Sequence, residues 1–501
     1  MMNAFPLCPS FAEFAGFAKR GNLVPVYTEF VADYETPLSV LEKIDDGRRS
    51  FLFESAELND QVGRYSFLGS QPRVYFESRG SEILIEENGC PRRFTTKSDP
   101  LEELKRLMGR YRAVLVPGLP PFIGGAVGYL GFDVVRFFEP TVSSPPPDTL
   151  NLPDSVFMIT DSILVFDHRF RRLKIVTTAI LEEENPDLER SYREAEAKIR
   201  RLVERLQTPT CSRLMNAAPV PASLEPRSNT SQEEFYQMVE RAKEYIRAGD
   251  IFQMVPSQRF EAPFTGDPVS LYRALRFVNP SPYLFCLRLG ERFALVGSSP
   301  EVHVRLQGRK VEIRPLAGTR RRGATLEEDQ ILATELLADP KERAEHLMLV
   351  DLARNDVGRI CEYGSVTVSD LMTIERYSHV MHIVSHVAGR LQEGRDAYDV
   401  MGATFPAGTV SGAPKVRAMQ IINELEKAKR AVYSGAIGYF GFDGNLDSCI
   451  ALRTVVMRDN IAYVQAGGGV VADSSPEGEY QESVNKAMAL FRAIERAQAL
   501  P

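Results

Sequence analysis

Segments typical of strands and of helices alternate irregularly along this chain of 501 residues. Short stretches of alternating hydrophobicity, such as 81–87 and 162–176, are separated by turns rich in proline and glycine. There is no internal repeat of roughly 20 to 50 residues and no regular succession of strand, helix and strand. This pattern disfavours a Rossmann fold or a barrel and predicts an α+β fold with large mixed or antiparallel sheets.

The hydrophobic pattern also divides the chain along its length. A charged segment over 186–206 carries an apolar stripe and predicts an amphipathic surface helix. A stretch with four prolines follows, and Ser231 then begins a second predicted helix as its N-cap. We therefore predict an N-terminal extension, a strand-rich domain, a linker and a second domain, over residues 1–23, 24–206, 207–230 and 231–498.

Composition limits the possible partners. The formal net charge is -7, which lacks the positive field that nucleic acids or anionic membranes attract. No apolar run approaches the roughly 20 residues that span a bilayer, and the N-terminus does not resemble a signal peptide. We expect a cytoplasmic protein with no nucleic-acid or membrane partner. Six scattered cysteines indicate reduced thiols.

Two segments place glutamates on one face of a helix. Glu342 and Glu345 lie three residues apart, which places them on one face of a helix. Near the C-terminus, the spacing of Glu479, Glu482 and Lys486 also places these residues on one helix face. Such faces are commonly only solvated, with Glu482 and Lys486 as an ion pair. Across a cleft, however, they could hold Mg²⁺, which takes one or two carboxylates together with water and substrate oxygens. In that case we expect Glu345 and Glu482 to bind the metal directly, and Glu342 and Glu479 through water.

Three glycine-rich stretches, 317–323, 408–414 and 466–469, could be tight turns or places where backbone amides approach a ligand. None of them is a nucleotide-binding motif. Arg453, in an apolar segment that predicts a strand, needs an anionic partner, either a carboxylated substrate or a structural carboxylate. His379 and His382 lie in an apolar segment, where a histidine is more often a buried structural residue than a catalyst, and position alone does not decide between the two.

Six segments, in order between residues 314 and 487, resemble the chorismate-utilising enzymes and, within them, the anthranilate synthase component I family. They are RPLAGTRRRG (314–323), EHLMLVDLARND (345–356), VMHIVSHVAG (380–389), TFPAGTVSGAPKVRAMQII (404–422), YSGAIGYF (433–440) and AGGGVVADSSPEGEYQESVNKA (466–487). Two segments of the N-terminal half, FLFESAE (51–57) and GRYSFLG (63–69), also resemble this family. The resemblance implies a sandwich of large sheets with flanking helices.

The resemblance also implies a site. It assigns Mg²⁺ to Glu345 and Glu482, in agreement with the carboxylate pattern. The residues that it implies in chorismate binding are Gly318, Thr319, Thr409, Tyr433, Arg453, Gly467, Gly468, Gly469 and Lys486. We further expect Glu301 to protonate the departing hydroxyl of the ring, and His382 to assist proton transfer during elimination of pyruvate.

Two positions favour anthranilate as the product. Isochorismate and salicylate synthases use a lysine base where Gln253 stands, and a neutral amide cannot activate water. Aminodeoxychorismate synthases typically have a nucleophilic lysine where Ala317 stands. Ammonia addition is therefore the expected chemistry. The alternatives are aminodeoxychorismate synthase, the less favoured isochorismate synthase, and a non-catalytic tryptophan-binding homologue.

The resemblance implies two further partners. None of the cysteines lies in a setting typical of a glutaminase nucleophile, so a separate glutamine amidotransferase subunit is expected to supply ammonia. An inhibitory L-tryptophan site is also implied, with residues from both halves of the chain. These residues are Glu54, Ser55, Asn279, Pro282, Tyr283 and Leu284.

Overall fold

The computed structural model describes residues 5–55, 63–142, 145–181, 186–209, 215, 224–377 and 380–499. His379 and most of the predicted linker over 207–230 therefore lie outside the described residues. None of the described helices is both long and apolar enough to cross a membrane.

The strands, in chain order, are β1 (Leu23–Val31), β2 (Ser50–Glu54), β3 (Tyr65–Ser70), β4 (Val74–Arg79), β5 (Glu82–Glu87), β6 (Cys90–Thr95), β7 (Gly125–Leu130), β8 (Ser155–Thr160), β9 (Ser162–Asp167), β10 (Arg172–Ile180), β11 (Arg227–Ser228), β12 (Gln253–Met254), β13 (Ser257–Pro263), β14 (Tyr283–Gly290), β15 (Phe293–Ser299), β16 (Val302–Gln307), β17 (Lys310–Ile313), β18 (Leu316–Arg321), β19 (Thr367–Arg376), β20 (Val380–Arg390), β21 (Gly412–Ala413), β22 (Ala436–Gly441), β23 (Leu446–Ile450), β24 (Thr454–Arg458) and β25 (Ile461–Gly467).

The α-helices are α1 (Phe11–Phe17), α2 (Pro37–Ile44), α3 (Pro100–Met108), α4 (Val135–Phe138), α5 (Leu188–Leu206), α6 (Gln232–Arg247), α7 (Pro268–Val278), α8 (Leu326–Ala338), α9 (Pro340–Gly358), α10 (Ala397–Thr404), α11 (Lys415–Leu425) and α12 (Pro476–Gln498). Short 3₁₀ helices cover Phe132–Val134 and Gly408–Val410.

Two long sheets organise these elements. The first has eleven strands in the order β1-β10-β9-β3-β2-β14-β15-β24-β25-β13-β11, and the second has twelve, in the order β18-β20-β17-β16-β23-β22-β7-β8-β4-β5-β6 with β19 paired to β20. The halves of the chain meet where β2 pairs with β14 and where β22 pairs with β7, both antiparallel. Both predicted domains thus contribute strands to both sheets.

The sheets pack face to face, with helices on their outer faces, which confirms the predicted α+β sandwich. Phe51 and Phe285 of the first sheet share one buried cluster with Val127 and Ile437 of the second. The outer face of the first sheet buries residues of α1, α2, α5, α7 and α12. The outer face of the second buries residues of α3, α6, α9, α10 and α11.

Local patterns predicted several elements correctly. Ser231 caps α6, and Glu234 completes a capping box with it. The amphipathic helix predicted over 186–206 is α5. Pro414, at the end of the second glycine-rich stretch, is the N-cap of α11, which ends at Leu425.

The strand predicted around Arg453 is wrong. The chain leaves the second sheet after β23 and enters the first sheet with β24, so Arg453 lies in the crossover between them. Its φ of 45° is in the left-handed region, which an extended strand does not use. At this position Arg453 is partly buried and contacts Asn279. An apolar sequence pattern cannot distinguish such a crossover from a strand.

Candidate active site

The predicted acidic faces lie in the first two turns of α9 and of α12. Asp339 caps α9 by accepting hydrogen bonds from the backbone of Lys341 and Glu342, and Ser475 caps α12. Burial raises the pKa of Glu345, and the nearby carboxylates of Glu342 and Glu482 raise it further. The two helices therefore bring carboxylates close together, which is one of the two arrangements that the sequence left open.

Glu479, on α12, is more buried than Glu482 on the same helix. Its Oε1 accepts a hydrogen bond from Ser474 Oγ at 2.7 Å. Its Oε2 is buried and has no hydrogen-bond partner in the described part of the chain. Burial raises the pKa of Glu479, and the charge of Glu482 adds to that shift. A buried carboxylate oxygen without a partner is unfavourable, and a cation or a water molecule bound to one would satisfy it.

Lys486 lies at the edge of the acidic group. Its Nζ donates to Glu482 Oε1 at 2.7 Å and to the Gly467 carbonyl at 2.9 Å. The ion pair is about half exposed, with relative exposures of 47% and 51% for its side chains. Water screens such a pair strongly, so a ligand could replace either contact at small energetic cost.

Glycines bring the backbone close to the side chains of this region. A Cβ on Gly468 would lie 2.6 Å from Glu479 Oε2, and one on Gly469 would lie 2.4 Å from Gln253 Nε2. Gly318 has φ of 67°, and a Cβ there would lie 3.1 Å from Glu342 Oε2. These positions bring backbone directly against the carboxylates.

Gln253, on β12, is buried and donates a side-chain hydrogen bond to Glu345. The sequence identified this residue only as the replacement for a lysine base. Its contact with a predicted metal ligand was not foreseen, because 92 residues separate the two and no local pattern connects them.

His382, on β20, is buried beside Gly318 and Thr319. Its Nδ1 lies 2.9 Å from the Gly318 carbonyl oxygen and 3.1 Å from Thr319 Oγ1. A carbonyl only accepts, so Nδ1 carries the hydrogen, and Nε2 holds the lone pair. Burial lowers the pKa of His382, and Arg453 lowers it further. The neutral ring is therefore the favoured form.

Glu301 is a buried carboxyl, and no cation is among the residues that shift its pKa. Burial raises the pKa of Glu301 to about 8, although a hydrogen bond from Thr409 opposes the shift. Thr409 Oγ1 donates to Glu301 Oε1 at 2.8 Å. A carboxyl protonated near neutral pH is suited to act as a general acid.

Arg453 is partly buried and lies close enough to His382 to lower the pKa of that ring. Its Nη1 lies 3.4 Å from Asn279 Oδ1, and within the described ranges no carboxylate forms an ion pair with it. Burial lowers the pKa of Arg453 without a compensating charge. Of the two partners that the sequence left open, a structural carboxylate is thus not found. Tyr433 is also buried nearby in the chain, and burial raises its pKa to about 12.

The residues predicted to bind tryptophan lie together at the junction of the two halves. Glu54 of β2 pairs with Leu284 of β14, and Ser55 follows β2 directly. The Glu54 carboxylate accepts from Tyr272 Oη at 2.6 Å and from Arg276 at 3.1 Å, two partners that the sequence did not predict. The other predicted residues are Asn279, at the end of α7, and Pro282 and Tyr283, at the start of β14.

Tyr283 points in a different direction from its neighbours. Its hydroxyl donates to Asp447 Oδ1 at 3.1 Å and accepts from Arg305 at 3.1 Å, so it connects the first sheet to the second. The side chain of Tyr283 thus bridges the two sheets.

Among the described residues, no three His, Cys, Asp or Glu side chains form a group that could hold a metal ion by themselves. A metal site formed by the carboxylates of α9 and α12 would therefore need further oxygen ligands from water and substrate. This is what Mg²⁺ commonly uses in enzymes, since it keeps several waters and takes oxygens from the substrate.

Comparisons with known proteins are consistent with this geometry. Residues 50–492 match the family model described as chorismate binding enzyme. The chain is 48% identical over 490 residues to anthranilate synthase component 1 of Aquifex aeolicus, covering 98% of both chains.

Two solved structures share the fold. Anthranilate synthase component I of Streptococcus pneumoniae superposes with a TM-score of 0.74 at 39% identity, covering 87% of this chain and 94% of that one. A menaquinone-specific isochorismate synthase from Escherichia coli gives a TM-score of 0.70 at 19% identity, covering 95% of each chain. At that identity the second likeness concerns the fold alone.

Proposed function

Because this chain belongs to the chorismate-binding enzymes and, within them, to the anthranilate synthase component 1 family, we propose that it converts chorismate and ammonia to anthranilate and pyruvate in tryptophan biosynthesis. Such a reaction makes it a lyase. One observation carries the proposal: the partly buried Arg453 has no carboxylate partner, while Glu345 on α9 and Glu479 on α12 form no ion pair with a cation among the described residues. A substrate with two carboxylates, bound together with a divalent cation, would give Arg453 an anionic partner and would give these glutamates a cation.

Mg²⁺ fits the acidic end. Glu345 and Glu482 would hold it directly, and Glu342 and Glu479 through water. The unpartnered Oε2 of Glu479 and the raised pKa of Glu345 support this assignment, because both carboxylates are unfavourable as the protein alone arranges them. When bound, Mg²⁺ would anchor a substrate carboxylate and stabilise negative charge that develops in the reaction.

The remaining groups would orient chorismate. Arg453 and Lys486 supply positive charge, and glycines allow backbone amides to approach the substrate carboxylates. For Lys486 this requires opening its half-exposed pair with Glu482. The complete proposed set is Gly318, Thr319, Thr409, Tyr433, Arg453, Gly467, Gly468, Gly469 and Lys486.

Two groups would move protons. Glu301, protonated because of its burial, would give a proton to the hydroxyl that leaves the ring as ammonia adds. His382, neutral with its lone pair on Nε2, would accept a proton during the elimination of pyruvate. Its bond to the Gly318 carbonyl fixes this tautomer.

The identity of the nucleophile rests on two neutral residues. Gln253 has its amide bound to Glu345 and cannot serve as a base for water. Ala317, buried on β18, offers no amine that could attack the ring. Free ammonia is therefore the proposed nucleophile, and a separate glutamine amidotransferase subunit is proposed as its source.

We also propose that L-tryptophan inhibits the enzyme at the junction of β2 and β14. The Glu54 carboxylate, held by Tyr272 and Arg276, would bind the ligand's ammonium group. Asn279 supports a connection to catalysis, because its side chain contacts Arg453 directly. A ligand that displaces Asn279 would therefore also displace a substrate-binding cation.

The test uses the purified chain with chorismate, MgCl₂ and an ammonium salt at alkaline pH, with products separated and identified. We expect anthranilate and pyruvate in equal amounts, no reaction with EDTA in place of MgCl₂, no use of glutamine, and less product when tryptophan is added. Isochorismate, or aminodeoxychorismate as the final product, would overturn the proposed reaction. With His382→Asn we expect the amino intermediate to accumulate, and unchanged anthranilate formation would exclude His382 from the mechanism.

A further inference from the structure

Glu426 and Arg430 form a completely buried ion pair close to the proposed substrate site. Only 4% of the Glu426 side chain and 1% of the Arg430 side chain are exposed. Arg430 donates from Nη2 to Glu426 Oε1 at 2.6 Å and from Nε to Oε2 at 2.9 Å. Removing both charges from water is costly, so the pair depends on further hydrogen bonds to offset that cost.

The remaining donors of Arg430 reach three separate loop segments. Nη1 donates to the carbonyl of Val410, which follows Thr409, at 2.8 Å. Nη1 also lies 3.3 Å from the hydroxyl of Ser434, which follows Tyr433. Nη2 donates to the carbonyl of Val255, two residues after Gln253. Each of these segments carries a residue of the proposed active site, namely Thr409, Tyr433 or Gln253.

Glu426 connects the fourth segment. Its Oε1 accepts from the backbone N–H of Ser257 at 2.9 Å and from Ser257 Oγ at 2.8 Å. Ser257 is the β-ladder partner of Gly467, and its hydroxyl also accepts from Gln465 Nε2 at 2.9 Å. The strand that leads into the glycines at 467–469 is thereby held against the same ion pair.

We infer that Glu426 and Arg430 are positioning residues, which hold the four segments around residues 253, 409, 433 and 467 in one arrangement for substrate binding. The guanidinium is planar and has five donors in a fixed geometry, so its bonds determine the relative directions of three backbone segments. An apolar pair could fill the same volume, often without loss of stability, but could not set these directions. The inference rests on the proposed function for the role of the four segments.

Arg430→Lys tests the inference, because it keeps the charge and loses the planar set of donors. We expect KM for chorismate to rise about tenfold or more and kcat to fall, which corresponds to losing one or two charge-assisted hydrogen bonds. Arg288→Lys is the matched control, since Arg288 is also largely buried and its hydrogen bonds go to Asp45 and Asp267. The control should keep the KM and kcat of the parent chain at a similar loss of thermal stability.

Amide hydrogen exchange gives a readout that does not depend on activity. In Arg430→Lys we expect faster exchange at all four segments together, by about tenfold. Faster exchange confined to residues 426–430 would indicate a local structural role and overturn the inference. So would a KM and kcat equal to those of the parent chain.

Ser257→Ala provides a milder variant in case Arg430→Lys does not fold. It removes the hydroxyl that donates to Glu426, and KM for chorismate should rise about three- to tenfold. Unchanged KM and unchanged exchange near 465–469 would reject the inference. Failure of the proposed function looks different, because the parent chain itself would then form no anthranilate.

Discussion

Two pairs of charged side chains in this molecule have the same spacing and opposite properties. Glu426 and Arg430 are four residues apart, as are Glu482 and Lys486. The first pair lies after the end of α11, in irregular backbone, and is almost wholly buried. The second lies on the surface of α12 and is about half exposed.

The difference shows how solvent decides what a charge pair contributes. Breaking a buried pair by removing one partner costs about 3–5 kcal/mol, because an unpaired charge remains in the interior. An exposed helical pair of this spacing contributes only about 0.3–0.5 kcal/mol. The buried pair therefore suits a fixed scaffold, and the exposed pair suits groups that exchange partners when ligands bind.

The largest effect should come from breaking the exposed pair at its acidic member. Glu482→Gln removes a proposed Mg²⁺ ligand, so we expect kcat/KM to fall about 100-fold or more, while the free energy of unfolding changes by less than about 0.5 kcal/mol. Steady-state kinetics over a range of MgCl₂ concentrations and denaturant unfolding measure the two quantities. Glu477→Gln, an exposed glutamate one turn earlier in α12, is the control and should alter neither. If Glu482→Gln instead lost as much free energy of unfolding as is expected for breaking the buried pair, the contrast between the two pairs would be wrong.

A smaller effect is expected at the basic member. Lys486→Met removes a cation proposed to bind a chorismate carboxylate, so KM for chorismate should rise about 10- to 30-fold, with little change in unfolding. Lys427→Met removes another exposed lysine, which is paired with Glu234 outside the site, and should leave KM unchanged. Equal KM values for both variants would remove Lys486 from the substrate site.

The smallest effect concerns pH and a third glutamate, Glu301, which is buried but has no cation beside it. Burial raises the pKa of Glu301 from 4.5 to about 8. As a general acid it must be protonated, so kcat/KM at a fixed concentration of free ammonia should fall above pH about 8, by about tenfold per pH unit. Glu301→Gln should be less active and lack this decline, and an unchanged profile would assign the decline to another group.

The same shift also affects stability, with a definite sign. The folded state binds the Glu301 proton more tightly than the unfolded state, so the stabilisation from this group is present in full below pH 4.5 and is lost as pH rises through about 8. Denaturant unfolding at several pH values, with Glu301→Gln for comparison, isolates this contribution.

Much of the fold was accessible from local pattern. The capping box at Ser231 and the apolar stripe of α5 depend on residues within one or two turns, so the sequence predicted both helices correctly. The strand predicted through Arg453 was wrong, because hydrophobicity alone does not reveal that the chain passes from one sheet to the other there. The interleaving of both halves in both sheets was likewise not predicted, since strand pairing is set by contacts distant in the chain.

The candidate site divides along the same line. The sequence by itself determined the residue types and their helical spacing: glutamates on the faces of α9 and α12, glycines where the backbone is crowded, and neutral residues at 253 and 317. Only the tertiary structure decided that Gln253 binds Glu345, that Asn279 contacts Arg453, and that the buried Glu426–Arg430 pair contacts four separate segments. The physical reason is that spacing follows from backbone geometry within a few residues, whereas burial, and with it the strength of every charge and hydrogen bond, depends on which distant segments exclude water.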